Sequence, residues 1–204
     1  MKRLNNFFDK LFETIPGGVF GLISVAIGIC VDIIGIATFP EYNITTHSVS
    51  MLGIGPLGWF FNLGLIISGI IAVPFEISLG RSISRDFVND KLIKIAVVIS
   101  IISSFSLSLV GFFPANPGNY EIMVLHGLFS TISFIGGLVY CFMFGLFMFK
   151  DPKFSKSQAY LGFIVSGVFA LFLFTLLPIV EWFAIFAIIL WVVVNASYML
   201  YKKI

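Results

Sequence analysis

The chain has 204 residues, of which 59% are hydrophobic and only 11% charged, with a mean hydropathy of +1.07 and a formal net charge of +2. Soluble domains carry roughly 25% charged residues, so a water-soluble globule is excluded, and so small a positive balance does not mark a nucleic-acid binder. Apolar stretches of about 20 residues recur instead, each long enough to cross ~30 Å of hydrocarbon.

The opening residues Met1-Lys2-Arg3-Leu4 have the basic start of a signal peptide. Asp9, Lys10 and Glu13 interrupt any apolar core before Pro16, however, and no small-residue cleavage site follows the first long run, so the first span is expected to be retained. Six spans follow in chain order: Gly17 to Thr38, Leu57 to Leu79, Ile95 to Phe113, Met123 to Phe149, Gln158 to Pro178 and Trp182 to Tyr201. Backbone polar groups in lipid must be satisfied within each segment and no barrel-like alternation is present, so the runs are helices. The expected fold class is an all-α integral membrane bundle of six transmembrane helices, one domain over residues 1–204. Cys30 and Cys141 fall inside apolar runs and suggest no disulfide framework.

Orientation follows from the basic residues. Lys2, Arg3 and Lys10 precede the first span, and Arg81, Arg85, Lys91 and Lys94 separate the second from the third. Lys150, Lys153 and Lys156 separate the fourth from the fifth, and Lys202 and Lys203 follow the sixth, which accounts for all twelve. The positive-inside rule then makes both termini cytoplasmic in a multi-pass protein of the cell membrane. The opposite face holds the loop Phe39 to Pro56, the loop Pro114 to Ile122 and a hairpin over Pro178 to Glu181. Asn43-Ile44-Thr45 in the first of these is a glycosylation sequon, compatible with that side, whereas Asn195-Ala196-Ser197 lies within a span and should be inert.

Chemistry-bearing side chains gather toward that opposite face: Glu41, His47, Glu121, His126 and Glu181, with Asp32 about six residues, or ~9 Å, below the end of the first span. A carboxylate within a span costs ~2.5 to 3.5 kcal/mol on insertion scales and faces a partner or a wet cavity rather than lipid. Asp32 therefore reads either as a base, metal ligand or headgroup contact, or as a hydrogen-bonding partner of a neighbouring helix. His126 and Ser130, four residues apart, share a helix face. Asp32 and His126 lie at similar depth in different spans, so each is the most available partner for the other. His47, within Thr45 to Ser50, suits a solvated loop or a cap as well as a site. Glu76, near the basic end of the second span, reads as structural, reaching the interface or pairing with Arg81. No HExxH, GxSxG, Walker or CxxC pattern occurs. Small residues, Gly17, Gly18, Gly21, Gly28, Gly35, Gly64, Gly69, Gly136 and Gly137, permit close helix approach. Trp59, Trp182 and Tyr120 fall where an outer aromatic belt belongs.

Several short motifs stand in order along the chain: Phe39-Pro40-Glu41, His47 to Gly53, Gly58 to Leu65 with Ser68-Gly69, Gly111-Phe112-Phe113-Pro114, His126-Gly127 and Glu181-Trp182. In this order the chain resembles the prokaryotic membrane family of domain of unknown function 998, and more distantly the eukaryotic Frag/DRAM/Sfk-type six-span proteins. Where that prokaryotic family often has Ser-Glu-Leu after the loop histidine, this chain reads Ser50-Met51-Leu52, which weakens a charged site there. The eukaryotic resemblance implies lipid remodelling, lipid asymmetry or autophagy.

The leading reading is a lipid-interacting protein whose extracytoplasmic pocket, formed by Asp32, His47, His126, Ser130 and Glu181, handles the headgroup of a membrane lipid or related amphiphile. A histidine beside a carboxylate would suit acid–base chemistry in hydrolysis or transfer, though no nucleophile stands out and enzyme status stays open. Two other classes compete. One is an accessory or scaffold subunit, acting through membrane-protein partners or as a homo-oligomer. The other is metal or haem binding through His47 and His126, which lack a spaced ligand set, so no metal and no cofactor is expected. Cysteines placed at Asn43 and Asn119 should react with an impermeant thiol reagent in intact cells, and one at Lys153 only after lysis; labelling of Lys153→Cys in intact cells would reverse the orientation.

Overall fold

The computed structural model describes residues 2–204, with side chains described from residue 6 onward. Met1 lies outside the described residues, and Lys2 and Arg3 of the basic flank are described in backbone alone.

Seven helices carry the chain: α1 (Lys2–Thr14), α2 (Gly17–Thr38), α3 (Gly58–Ser82), α4 (Asp90–Phe112), α5 (Tyr120–Lys150), α6 (Lys156–Thr175) and α7 (Pro178–Lys202), with a 3-10 turn at Val49–Ile54 between α2 and α3. Helices α2 to α7 are each long and apolar enough to cross a membrane. The fold class is all-α, with no strand among the described residues.

Ends differ from the sequence reading for local reasons. Helix α4 starts at Asp90 rather than Ile95 because the Asn89 side chain accepts from the Lys91 N–H and Lys94 pairs with Asp90 one turn away. The expected hairpin at Pro178 to Glu181 is instead the first turn of α7, where proline suits the first helical position. The reversal before it falls to Leu176, the left-handed C-cap of α6. Helix α1 was hidden from a search for long apolar runs. It is short and amphipathic, with Phe8 stacked on Phe12 and Asp9 ion-paired to Arg81 at 2.7 Å.

Each spanning helix packs on its neighbour in sequence, and α7 returns to α2, so the six close into a ring in chain order. In a hexagon the centre lies as far from each axis as adjacent axes lie apart, ~8–10 Å for packed helices. Subtracting the ~2.3 Å radius of the helical backbone leaves an interior about one layer of side chains deep. Large apolar side chains such as Ile33, Ile95, Phe105, Ile164 and Phe174 face outward. Polar ones face inward: Ser24, Asp32, Ser68, Glu76, Ser104, Ser108, His126, Glu181 and Asn195 are all buried. This inversion follows from the solvent, since hydrocarbon welcomes an apolar exterior and offers no hydrogen bond to a polar one.

Small residues set the spacing of the ring. A Cβ at Gly64 would stand 2.3 Å from Val31 Cγ1, and one at Gly69 would stand 2.5 Å from the Ser104 carbonyl oxygen. Hydroxyls then bridge the close pairs: Ser24 donates to the Ser68 carbonyl, Ser68 to the Ser24 carbonyl, and Ser108 to the Ile66 carbonyl, each at 3.0 Å. Gly69→Ala should lower the thermal midpoint in detergent, at a cost of about 1 to 3 kcal/mol for an overpacked contact. Gly127→Ala, with nothing within 4 Å of the added Cβ, should leave the midpoint unchanged or raise it; equal effects would refute glycine-set spacing.

Candidate functional site

The connection between α2 and α3 folds into the loop end of the ring and is held there by three ties. Glu181, in the first turn of α7, accepts from the Val49 N–H at 3.1 Å through Oε2. Trp182 beside it donates from Nε1 to the Tyr42 hydroxyl at 3.2 Å, and that hydroxyl donates to the Ser48 carbonyl at 2.8 Å. Burial, reinforced by the nearby carboxyls of Glu181 and Asp32, holds the Tyr42 phenol above its ordinary value, so it remains a donor. From α3, Asn62 donates to the Gly53 carbonyl at 2.9 Å. Val49, Leu52 and Gly53 are thereby buried, and Leu52 packs with Val31, Phe61 and Trp182.

Beneath this plug lie two adjoining cavities. One, of about 120 Å³, is bordered by Ser50, Ser103, Ser130, Tyr140, Glu181 and Ile185. The other, of about 140 Å³, runs from Asp32 past Ser24 and Ser68 to Glu76, Tyr140 and Trp191. They share the wall made by Val49, Leu65, Ser104, Leu107 and Tyr140. A cavity of this size takes a benzene-sized group. Among the described residues, every charged side chain that borders them is acidic.

Of the five residues singled out from sequence, three border these cavities and two do not. Asp32 is 8% exposed, borders the larger one and accepts no hydrogen bond from a described residue. Ser130 and Glu181 border the smaller. His126 turns away from Asp32: its Nδ1 bonds the carbonyl of Phe113, the C-cap of α4, at 2.8 Å. A carbonyl only accepts, so Nδ1 carries the proton, and this histidine closes an unsatisfied helix end instead of pairing with Asp32. His47 stays within its own loop, stacked on Tyr42 at 5.3 Å, with Nδ1 accepting from the Asn43 N–H at 3.1 Å. Among the described residues no group of three or more His, Cys, Asp or Glu stands where it could hold a metal ion.

Glu76 neither pairs with Arg81 nor reaches the interface, the two ways in which the sequence suggested a structural role for it. Five residues separate it from Arg81, which puts the two ~140° apart around a helix, and Arg81 is occupied by Asp9. Glu76 is 4% exposed, and its Oε1 accepts from the Ser104 hydroxyl. Its Oε2 and the Trp191 Nε1 are the buried side-chain polar atoms without a hydrogen-bond partner among the described residues, and both residues border the larger cavity. The cost of leaving such an atom unsatisfied is roughly 1–3 kcal/mol. The usable signal was the run Ser100, Ser104, Ser108 at helical spacing on α4, a polar stripe opposite a carboxylate.

A family model described as Protein of unknown function (DUF998) matches residues 22–198, a stretch that reaches into all six spans. No curated protein and no solved structure matches the chain.

The Glu181 tie should be measurable. Glu181→Gln keeps an acceptor and should be mild, whereas Glu181→Leu should cost about 1.5 to 3 kcal/mol, the range for a hydrogen bond to a charged group. The Leu variant should also admit protease to residues 39–57; equal protection in both variants would show the plug to be held by other contacts.

Proposed function

This chain belongs to the DUF998 family of proteins of unknown function, and we propose that it binds the head of a membrane amphiphile by hydrogen-bond acceptors held inside its helix ring. The observation that carries the proposal is Asp32: a buried carboxyl within a spanning helix, about six residues from its end, bordering a cavity and accepting no hydrogen bond from a described residue. Such a group is expensive in a membrane and is characteristic of ligand or ion pathways.

The surroundings support a head of defined chemistry. Asp32 and Glu181 supply acceptors and negative charge, Ser50 and Ser130 supply hydroxyls, and Leu65, Leu107, Ile185 and Ile188 supply apolar wall. Among the described residues no Lys or Arg borders either cavity, so an anionic phosphate finds no counter-charge and a hydroxyl- or ammonium-bearing head is favoured. Because all twelve Lys and Arg fall at the other end of the helices, the same reasoning assigns the smaller cavity and the Asp32 end of the larger one to the extracytoplasmic half of the cell membrane, while the Glu76 end lies past the middle of α3. His126 and His47 are braces in this proposal, not ligands. The arrangement supplies acceptors without an imidazole–carboxylate couple, so binding is proposed, with lipid remodelling only as a process it would serve.

A scaffold role is the second reading, favoured by the pairing of His126 with Phe113 and of Glu181 with Val49. Mass spectrometry of extracts from purified protein separates the two. Asp32→Asn should keep the thermal midpoint within a few degrees while reducing the co-purifying amphiphile at least tenfold, and His126→Gln should lower the midpoint but retain the amphiphile. Unchanged amphiphile content in a folded Asp32→Asn protein would leave the scaffold reading in place.

A further inference from the structure

Glu76 on α3 and Trp191 on α7 both border the inner end of the larger cavity, and each carries a buried polar atom without a partner among the described residues, the Glu76 Oε2 acceptor and the Trp191 Nε1–H donor. Their neighbours hold them in place. Ser104 occupies the other carboxyl oxygen of Glu76. The Trp191 indole is boxed by Phe75, with ring centroids 6.3 Å apart, by Tyr140 at 5.8 Å and by Phe144 at 6.2 Å. With Glu76 4% exposed and Trp191 1% exposed, neither atom can turn to lipid or bulk water for a partner.

We propose that this inner end is a hydroxyl-binding site, in which an alcohol group donates to Glu76 and accepts from Trp191 while its apolar body lies toward Ala72, Ile189 and Val192. The proposal rests on the reading above that the cavity admits an amphiphile, and it adds a second anchor and a ligand class. The chemistry of the two atoms selects the class. A cation would suit the carboxyl but meets the positive end of the indole N–H, and an anion would suit the indole but meets the carboxyl. A carbonyl or ether accepts but cannot donate. A hydroxyl does both, and it is the smallest group that can. Water offers the same chemistry, so the source of the hydroxyl is what the experiment must decide.

The three tryptophans of the chain serve as separate reporters in the full-length protein labelled with 15N at the indoles and held in detergent micelles. Trp191 reports this site, Trp182 reports the plug above Asp32 through its bond to Tyr42, and Trp59, 67% exposed, reports the surroundings. The Trp191→Phe protein assigns the signals. Titration with 1-butanol should move the Trp191 signal saturably. Diethyl ether, its isomer without an O–H, should bind at least tenfold more weakly. In Glu76→Met, with its Trp182 signal in place as a check on folding, that preference should vanish. Equal responses to the two isomers, or no saturable response of Trp191, overturn the proposal. A magnetisation-transfer signal from water to the Trp191 indole that 1-butanol does not displace assigns the site to water alone and likewise overturns it. Movement of Trp182 without Trp191 rejects this second anchor while leaving the amphiphile reading intact.

Discussion

The hydrogen bond from the Val49 N–H to Glu181 joins residues 132 positions apart in sequence, and the arrangement of the loop end depends on it. Glu181 lies in the first turn of the last helix and Val49 begins the 3-10 turn of the first connection, so one contact both seats α7 at the closure of the ring and draws the plug inward. Trp182 and Tyr42 repeat the tie one residue along. Loosened, these contacts would expose to water the packing of Leu52 on Val31 and Phe61, and the cavities beneath would lose their lid.

The remaining architecture follows from the solvent. Since lipid supplies no hydrogen bonds, serines and carboxyls turn inward and pair across helices, and glycine at the crossing points lets backbones approach closely enough for hydroxyls to reach carbonyls. Asn195 and Gln158 show the same logic between α6 and α7, where the amide of one donates to the other at 3.1 Å within a buried contact. Polar side chains thus form a seam inside an apolar cylinder, and the two cavities lie along it.

The six-helix fold was legible because span length and hydropathy are one-dimensional properties, and the bilayer makes them decisive. Helix α1 was not, since an amphipathic segment at an interface gives no long apolar run and its anchor, Arg81, lies 72 residues away from Asp9. For the candidate site, depth along a span was readable but azimuth around the ring was not. Asp32 and His126 lie at comparable depth, yet His126 faces the end of α4. Glu76 and Arg81 are near in sequence but point apart. Which residues share a cavity is decided by the order of helices around the ring, and that order leaves no mark in local composition.

That order also bears on how the molecule is made. A ring assembled from sequential neighbours has mostly local contacts, and helical hairpins can form in turn as the chain emerges. The seam that joins distant parts, α7 against α2, α3 and the 3-10 turn, can form only after the final helix has entered the membrane. Helices α2 to α6 alone would form an open crescent with Asp32 and Glu76 on its concave side, so the docking of α7 is what would take the two carboxyls out of contact with lipid.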